Sequence, residues 1–345
     1  MLTRIIDTTS AGGAVSAPCG VYPAHPRVVA IGGGTGLPTV LRGLRQASFA
    51  ASGDDRSDWL TAVVTVMDDG GSSGRLRETL GMLPPGDIRN CLGALVRRPS
   101  VLSRALNQRL PDENGETGHA VGNLLLAALT RTEGDFARAI DVLGAQLGVS
   151  GRVLPATLEN VHLRASFHDG MDVCGESAIA ARRGRIRRLA LERPVAAAPQ
   201  VLDALTSADL IVVGPGSLYT SILPNLLVDG VARTIRRSPA ACVYVANLMT
   251  EPGETDDYSL ADHLTAIREH TELDLFDYVL VNRSPIAPAA LEKYAADGAR
   301  AVGVSNVPSG RAVMVTADLA ALTPCGQIRH DPAALGLALR ALAGR

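Results

Sequence analysis

Five short apolar runs in this 345-residue chain each end in a glycine-rich, acidic or amide-bearing loop, and that repeated pattern leaves few folds open. Residues 28–31 lead into Gly32-Gly33-Gly34-Thr35-Gly36. Residues 61–67 lead into Asp68-Asp69-Gly70-Gly71-Ser72-Ser73-Gly74, and residues 210–213 into Gly214-Pro215-Gly216-Ser217. Asn247 and Asn282 close two further runs, 241–246 and 278–281. Short continuous apolar runs are what strands buried on both faces require. In an open parallel sheet the loops at the carboxyl ends of the strands gather along one edge, where ligands bind. Glycine lets the backbone approach a ligand, and the next helix offers unpaired N–H groups and a positive dipole end. The pattern predicts an α/β fold that binds a phosphorylated, nucleotide-like small molecule.

Composition narrows the partners. Aromatic residues make up only 3% of the chain and the formal net charge is −2, which disfavours both base-stacking platforms and whole-domain attraction to nucleic acid. Phosphate recognition must then be local. The five cysteines are dispersed without a C-x-x-C pair, so no zinc site is expected and a reducing compartment fits. Cys91 and Cys242 lie among apolar residues and are expected to be buried. No apolar run approaches the ~20 residues of a membrane span, and residues 1–26 lack a secretory pattern. A cytoplasmic location is the expectation.

Residues 1–26, rich in small residues, Gly and Pro, are expected to form a disordered extension. Residues 27–345 are expected to form a single Rossmann-like domain. Partial alternation and Gly170, Gly175 and Gly184 predict an antiparallel hairpin excursion over about 152–192. Residues 101–110 predict an amphipathic helix, and residues 117–123 lead into an almost wholly apolar one.

The first loop resembles the dinucleotide fingerprint at Gly32 and Gly34 but has Leu37 at its sixth position, which weakens an NAD reading. The amides of Gly33, Gly34, Thr35 and Gly36 remain candidate phosphate seats. In the second loop Asp68 and Asp69 are placed to accept from ribose hydroxyls or to hold Mg²⁺, or else to cap the next helix. Gly70, Ser72 and Ser73 add amides and hydroxyls beside them. Gly214, Pro215, Gly216 and Ser217 form a second phosphate-type loop. It departs from G-x-S-x-G, so a Ser–His–Asp hydrolase is unsupported. Asp87, Arg89, Asn90, Asn123 and Asn247 are candidate substrate or sugar contacts. His119 lies four residues before Asn123, so on a helix the two share a face, and it titrates near neutrality as an acid–base catalyst should. The basic run Arg182–Arg188 reads first as a solvated hairpin face.

Taken together, GGGTGL at 32–37, DDGGSSGRLR at 68–77, PPGDIRN at 84–90, GHAVGNL at 118–124, GPGSLYTSILPNLL at 214–227, NLMTEPGETDDYSLADH at 247–263 and RHDP at 329–332 resemble the family of the phospholactate transferase CofD and the gluconeogenesis factor YvcK. The transferase branch ends its second strand in Asn-Thr-Gly-Asp-Asp, whereas this chain reads Val66-Met67-Asp68-Asp69-Gly70, which looks like the YvcK branch. The resemblance implies a three-layer α/β/α fold with a mostly parallel sheet and a nucleotide pocket at the first three loops. It also implies binding of UDP-N-acetylglucosamine and a regulatory role between gluconeogenic carbon supply, cell-wall synthesis and cell shape. Cell-wall synthesis proteins and a second copy of the chain are the expected protein partners. The alternative is a Mg²⁺-dependent phospholactate-type transferase acting on a deazaflavin or related acceptor, with Asp69 at the metal and His119 as base.

Overall fold

Alternate residues of the buried strands face opposite sides of one sheet, and each side has its own core. A computed structural model of the chain describes residues 3–5, 26–47, 59–111, 117–304 and 311–343. The main sheet contains β1 (Thr3–Ile5), β2 (Val28–Gly32), β3 (Leu60–Val64), β4 (Arg152–Pro155), β5 (Leu210–Val213), β6 (Ala241–Val245), β7 (Tyr278–Asn282) and β8 (Val313–Ala317). Their spatial order is β1-β8-β7-β6-β5-β2-β3-β4, and every pairing is parallel. Val28 and Ala30 of β2 pack into one core, Val29 and Ile31 into the other. That is the period-two alternation of a strand covered on both faces. The fold is therefore a three-layer α/β/α arrangement, as the loop pattern and the resemblance together implied.

The strand order reverses beside β2. The chain runs from β2 to β3 and β4 on one side, then returns to place β5, β6, β7 and β8 on the other. The carboxyl ends of β2 and β5 thus flank a topological switch point, where open α/β sheets bind ligands. Helix α1 (Gly36–Gln46) follows β2 directly and buries Leu37, Val40, Leu41 and Leu44 completely. Each such side chain contributes about 1.5–3 kcal/mol. The closing helix, Pro332–Ala343, lies against α1 so closely that a Cβ on Gly43 would stand 2.2 Å from the Pro332 carbonyl oxygen. Arg340 fixes its far end by donating to the Ala47 carbonyl at 2.7 Å. This docking brings residues 329–332 up beside the start of α1.

Several local expectations change. Within the extension expected to be disordered, Thr3–Ile5 adds a parallel strand to β8, because the edge of a sheet offers unpaired backbone groups; residues 6–25 lie outside the described residues. Arg152–Pro155 belongs to the main sheet rather than to the hairpin excursion. The antiparallel unit consists of Leu163–Phe167, Asp172–Cys174 and Ile186–Leu191, whose Ile186 and Leu189 point inward while Arg187 and Arg188 face solvent. Residues 101–110 split into a helix over Val101–Ala105 and a strand at Arg109–Pro111. The partner strand, Thr117–Ala120, contains His119, so the helical face expected for His119 and Asn123 does not form; the helix starts only at Val121. Cys91 and Cys242 are buried. Among the described residues no helix is long and apolar enough to cross a membrane.

Candidate functional site

The first and third loops meet through their backbones. A Cβ on Gly36 would stand 2.0 Å from the Pro215 carbonyl oxygen and 3.2 Å from the Gly216 Cα. Glycine at 36 is what allows β2's loop and β5's loop to close on each other. Thr35 occupies the N-cap of α1 without a side-chain capping bond; in the first turn Pro38 has no N–H and the Leu37 N–H donates to the Gly33 carbonyl at 3.4 Å, so the Gly36 amide is the one left beside the cleft. The third loop carries a cis peptide at Gly214-Pro215 and passes into a helical turn at Leu218. Asn247, at the end of β6, braces it: the Gly216 N–H donates to Asn247 Oδ1 at 3.1 Å, and Asn247 Nδ2 donates to the Gly216 carbonyl at 2.8 Å. Glu254 holds the turn from behind. It accepts from the Tyr219 N–H at 3.3 Å and from the Thr220 hydroxyl at 2.8 Å. Burial, then the neighbouring Glu251 charge, pushes the Glu254 carboxyl up to about 8.

The second loop is committed differently. Asp68 accepts from the Gly70 N–H at 2.9 Å. Both oxygens of Asp69 are taken by amides of a distant helix, Glu176–Arg182: Oδ2 by Glu176 at 3.0 Å and Oδ1 by Ser177 at 2.8 Å. Asp69 is thus a helix cap supplied across the sequence, with one amide on each of its oxygens. Among the described residues no group of three His, Cys, Asp or Glu side chains is arranged to hold a metal ion. The Ser73 hydroxyl accepts from the Gly86 N–H at 3.2 Å. Ser72 Oγ lies 3.0 Å from His119 Nδ1 and accepts from Asn123 Nδ2 at 3.0 Å. Arg89 donates to Asn123 Oδ1 at 3.1 Å and to Asn90 Oδ1 at 2.7 Å. Burial, then the charges of Arg75 and Arg109, keeps the His119 imidazole below its usual range.

Asp87 joins this network to the first loop, accepting from the Gly34 N–H at 2.7 Å, with Gly34 at φ +57°. Burial foremost, with a further push from Asp68, raises its carboxyl to about 6. Glu176 is raised to about 7 by burial and by the Asp68 and Asp69 charges. The first and third loops therefore meet directly, Gly36 against Pro215, and the second is tied to the first through the Gly86–Asp87 turn, which bonds Ser73 on one side and Gly34 on the other.

Two clefts open along this rim. One, of about 350 Å³, is lined by Thr35, Gly36, Pro215, Gly216, Ser217 and Asn247, together with residues 248–252 and parts of the C-terminal region. The other, of about 530 Å³, includes Thr35, Asn90 and the side chains of Arg42 and Asn107. Asp68, Asp69, Gly70, Ser72, Ser73, Asp87, Arg89, Asn123 and His119 line neither of these two. Gly33, Gly34 and Gly214 are also absent from the lining of these two clefts. Sequence reasoning assigned no role to Thr39, Arg42, Asn107, Arg329 or His330. The RHDP string was the one visible signal for the last two. Of the basic run, Arg182 is engaged, pairing with Asp169 and stacking 4.6 Å from the Phe167 ring centroid.

A parallel sheet with a switch-point cleft between glycine-rich loops defines a Rossmann-like α/β protein. The model of the family described as 2-phospho-L-lactate transferase CofD matches residues 28–319, and the chain belongs to the CofD family. It is similar to the gluconeogenesis factor of Bacillus subtilis, at 44% identity over 278 residues, 80% of this chain and 85% of that one. The gluconeogenesis factor of Halalkalibacterium halodurans is 46% identical over 281 residues, 81% of this chain and 84% of that one. A crystal structure of a Bacillus halodurans protein matches with a TM-score of 0.85 at 40% identity, covering 92% of this chain and 99% of that one. A second, of a Bacillus halodurans protein described as a member of the UPF0052 family, gives 0.84 at 40% identity, covering 91% and 99%.

Proposed function

We propose that this chain is a cytoplasmic UDP-sugar-binding regulatory factor, with UDP-N-acetylglucosamine as its ligand, that links gluconeogenic carbon supply to cell-wall synthesis and cell shape through protein partners of that machinery. The observation that carries the reading is the backbone contact between Gly36 and Pro215–Gly216 at the switch point, which sets the open N-terminus of α1 against a cleft. Backbone amides at such a position stabilise a diphosphate by hydrogen bonding and by the helix dipole. The names of the relatives supply the metabolic half of the reading.

Calorimetry with UDP-N-acetylglucosamine tests the reading. Heat of binding is expected for the wild type, and Asn247→Ala is expected to weaken it about tenfold, since the Gly216 loop loses both of its side-chain braces. No heat and no thermal shift at millimolar ligand would count decisively against it.

The third loop also carries a pH signature. The Glu254 carboxyl is higher in the fold than its ordinary 4.5, so its contribution to stability is complete below about 4.5 and is lost as pH rises through about 8. The buried His263, His270 and His330 imidazoles are held below 6.5 and act in the opposite sense, but only below about pH 7. Stability is therefore expected to fall between about pH 7 and 9. Glu254→Gln keeps an acceptor for the Tyr219 amide and a donor for Thr220, and is expected to flatten that slope in thermal melts. An unchanged slope in the variant would assign the pH dependence elsewhere.

A further inference from the structure

The strand Ile186–Leu191 pairs with Leu163–Phe167 on one side only, so the other edge of the antiparallel unit carries backbone groups with no strand partner. The helix Leu260–Thr271 reaches that edge from its last turn: the Leu189 N–H donates to His270 Nε2 at 2.8 Å. On the other side of the ring, Nδ1 stands 2.7 Å from the Ala266 carbonyl oxygen. A carbonyl oxygen only accepts, and a backbone N–H only donates. Nδ1 therefore carries the ring proton, Nε2 carries none, and the imidazole is neutral. Among the described residues His270 is the histidine with hydrogen bonds on both ring nitrogens.

A proton on Nε2 would set donor against donor at Leu189. His270 is 7% exposed and Leu189 1%, so water has little access to take over as acceptor, and a buried N–H left without one is costly. Burial foremost holds the imidazole below its usual range. Arg188 on the strand adds to this, while the Ala266 carbonyl and Glu269 on the helix oppose it. From the turn at Leu218–Ile222, the Tyr219 ring meets the imidazole edge-on, with centroids 5.9 Å apart.

The unit fastened by this bond also touches two of the loops. Asp69 of the second loop caps its helix Glu176–Arg182. A Cβ on Gly253 would stand 3.1 Å from the Ala180 carbonyl oxygen and 2.9 Å from Arg183 Cγ. Gly253 lies between Pro252, which lines the smaller cleft, and Glu254, which holds the third loop.

We propose that His270 is an acid-sensitive latch, whose neutral ring fastens the antiparallel unit to the helix Leu260–Thr271 and whose protonation frees the strand Ile186–Leu191. Its stabilising contribution is present above about pH 6.5 and is lost as pH falls below that through the lowered value of the folded state. The latch does not depend on the nucleotide-sugar reading, because the bond exists whatever the clefts bind.

Hydrogen exchange of the full chain, followed by mass spectrometry at about pH 7.5 and about pH 5 and corrected for the intrinsic rate, tests the latch. In the wild type, protection over residues 186–191 is expected to fall about tenfold on acidification relative to residues 241–245 of the main sheet. His270→Gln keeps an oxygen acceptor and takes up no proton; His270→Ala removes the acceptor. Both variants are expected to lose the pH dependence, with higher protection in His270→Gln than in His270→Ala, and thermal melts verify that they fold. Nitrogen NMR shifts of the wild-type ring at neutral pH are expected to show a protonated Nδ1 and a bare Nε2. An unchanged ratio of protection in the wild type overturns the latch, as does a fall that persists in both variants or a ring protonated on Nε2 at neutral pH.

Discussion

Gly36→Ala is expected to abolish ligand binding and to lower stability by about 1–3 kcal/mol, the usual cost of forcing extra volume into a packed site. The added methyl would stand 2.0 Å from the Pro215 carbonyl oxygen and 2.7 Å from its carbon. Both are backbone atoms, so no side chain can rotate away; the two loops themselves must separate. Separation spoils the apposition of the Gly36 amide and the Gly216 turn on which diphosphate binding depends. Denaturant unfolding and calorimetry measure the two losses independently. Wild-type affinity in a folded Gly36→Ala protein would show that the contact between the loops is incidental to the site.

Arg77→Ala is expected to cost about 3–5 kcal/mol, since it removes a buried cation that satisfies several acceptors at once. Arg77 is 3% exposed. Its Nε donates to Asn160 Oδ1 at 2.7 Å, Nη2 to the Val161 carbonyl at 2.6 Å, and Nη1 to the Met67 carbonyl at 3.4 Å. Burial works against its charge while Asp69 and Asp68 support it. The side chain ties the second loop to the connection that enters the hairpin unit, which the Asp69 cap also anchors. Arg77→Lys supplies one donor in place of the fork and is expected to recover only part of the loss. A loss under about 1 kcal/mol in denaturant unfolding would place the binding of these carbonyls in other hands.

The apolar runs made the parallel strands legible, because a strand buried on both faces has no polar alternation to confuse it. The third loop and Asn247 were legible as strand-end positions for a related reason: both follow buried strands, on the edge where a parallel sheet gathers its loops. The hairpin boundary moves because Arg152–Pro155 lies just before the alternating segment, and only its parallel pairing with β3 assigns it to the main sheet. The helical spacing of His119 and Asn123 was misleading. The helix starts after His119, and the two side chains meet instead on Ser72, which comes from a different element. Asp69 was placed at the ligand by analogy with other strand-end acids. Its partners lie more than a hundred residues away, at Glu176 and Ser177, a distance that no local pattern records.

The amino-acid order alone determined the layered α/β class, the family and the loops that ring the rim, since these depend on hydrophobic period and on glycine, properties that each segment carries by itself. The tertiary structure decided that Asp69 caps a distant helix, that Arg89 and Asn123 are buried in one network, and that residues 329–332 reach the clefts at all. Those outcomes follow from long-range close approach, of Gly36 to Pro215 and of Gly43 to Pro332. Contacts of that kind come into being only when the sheet and its helices have packed.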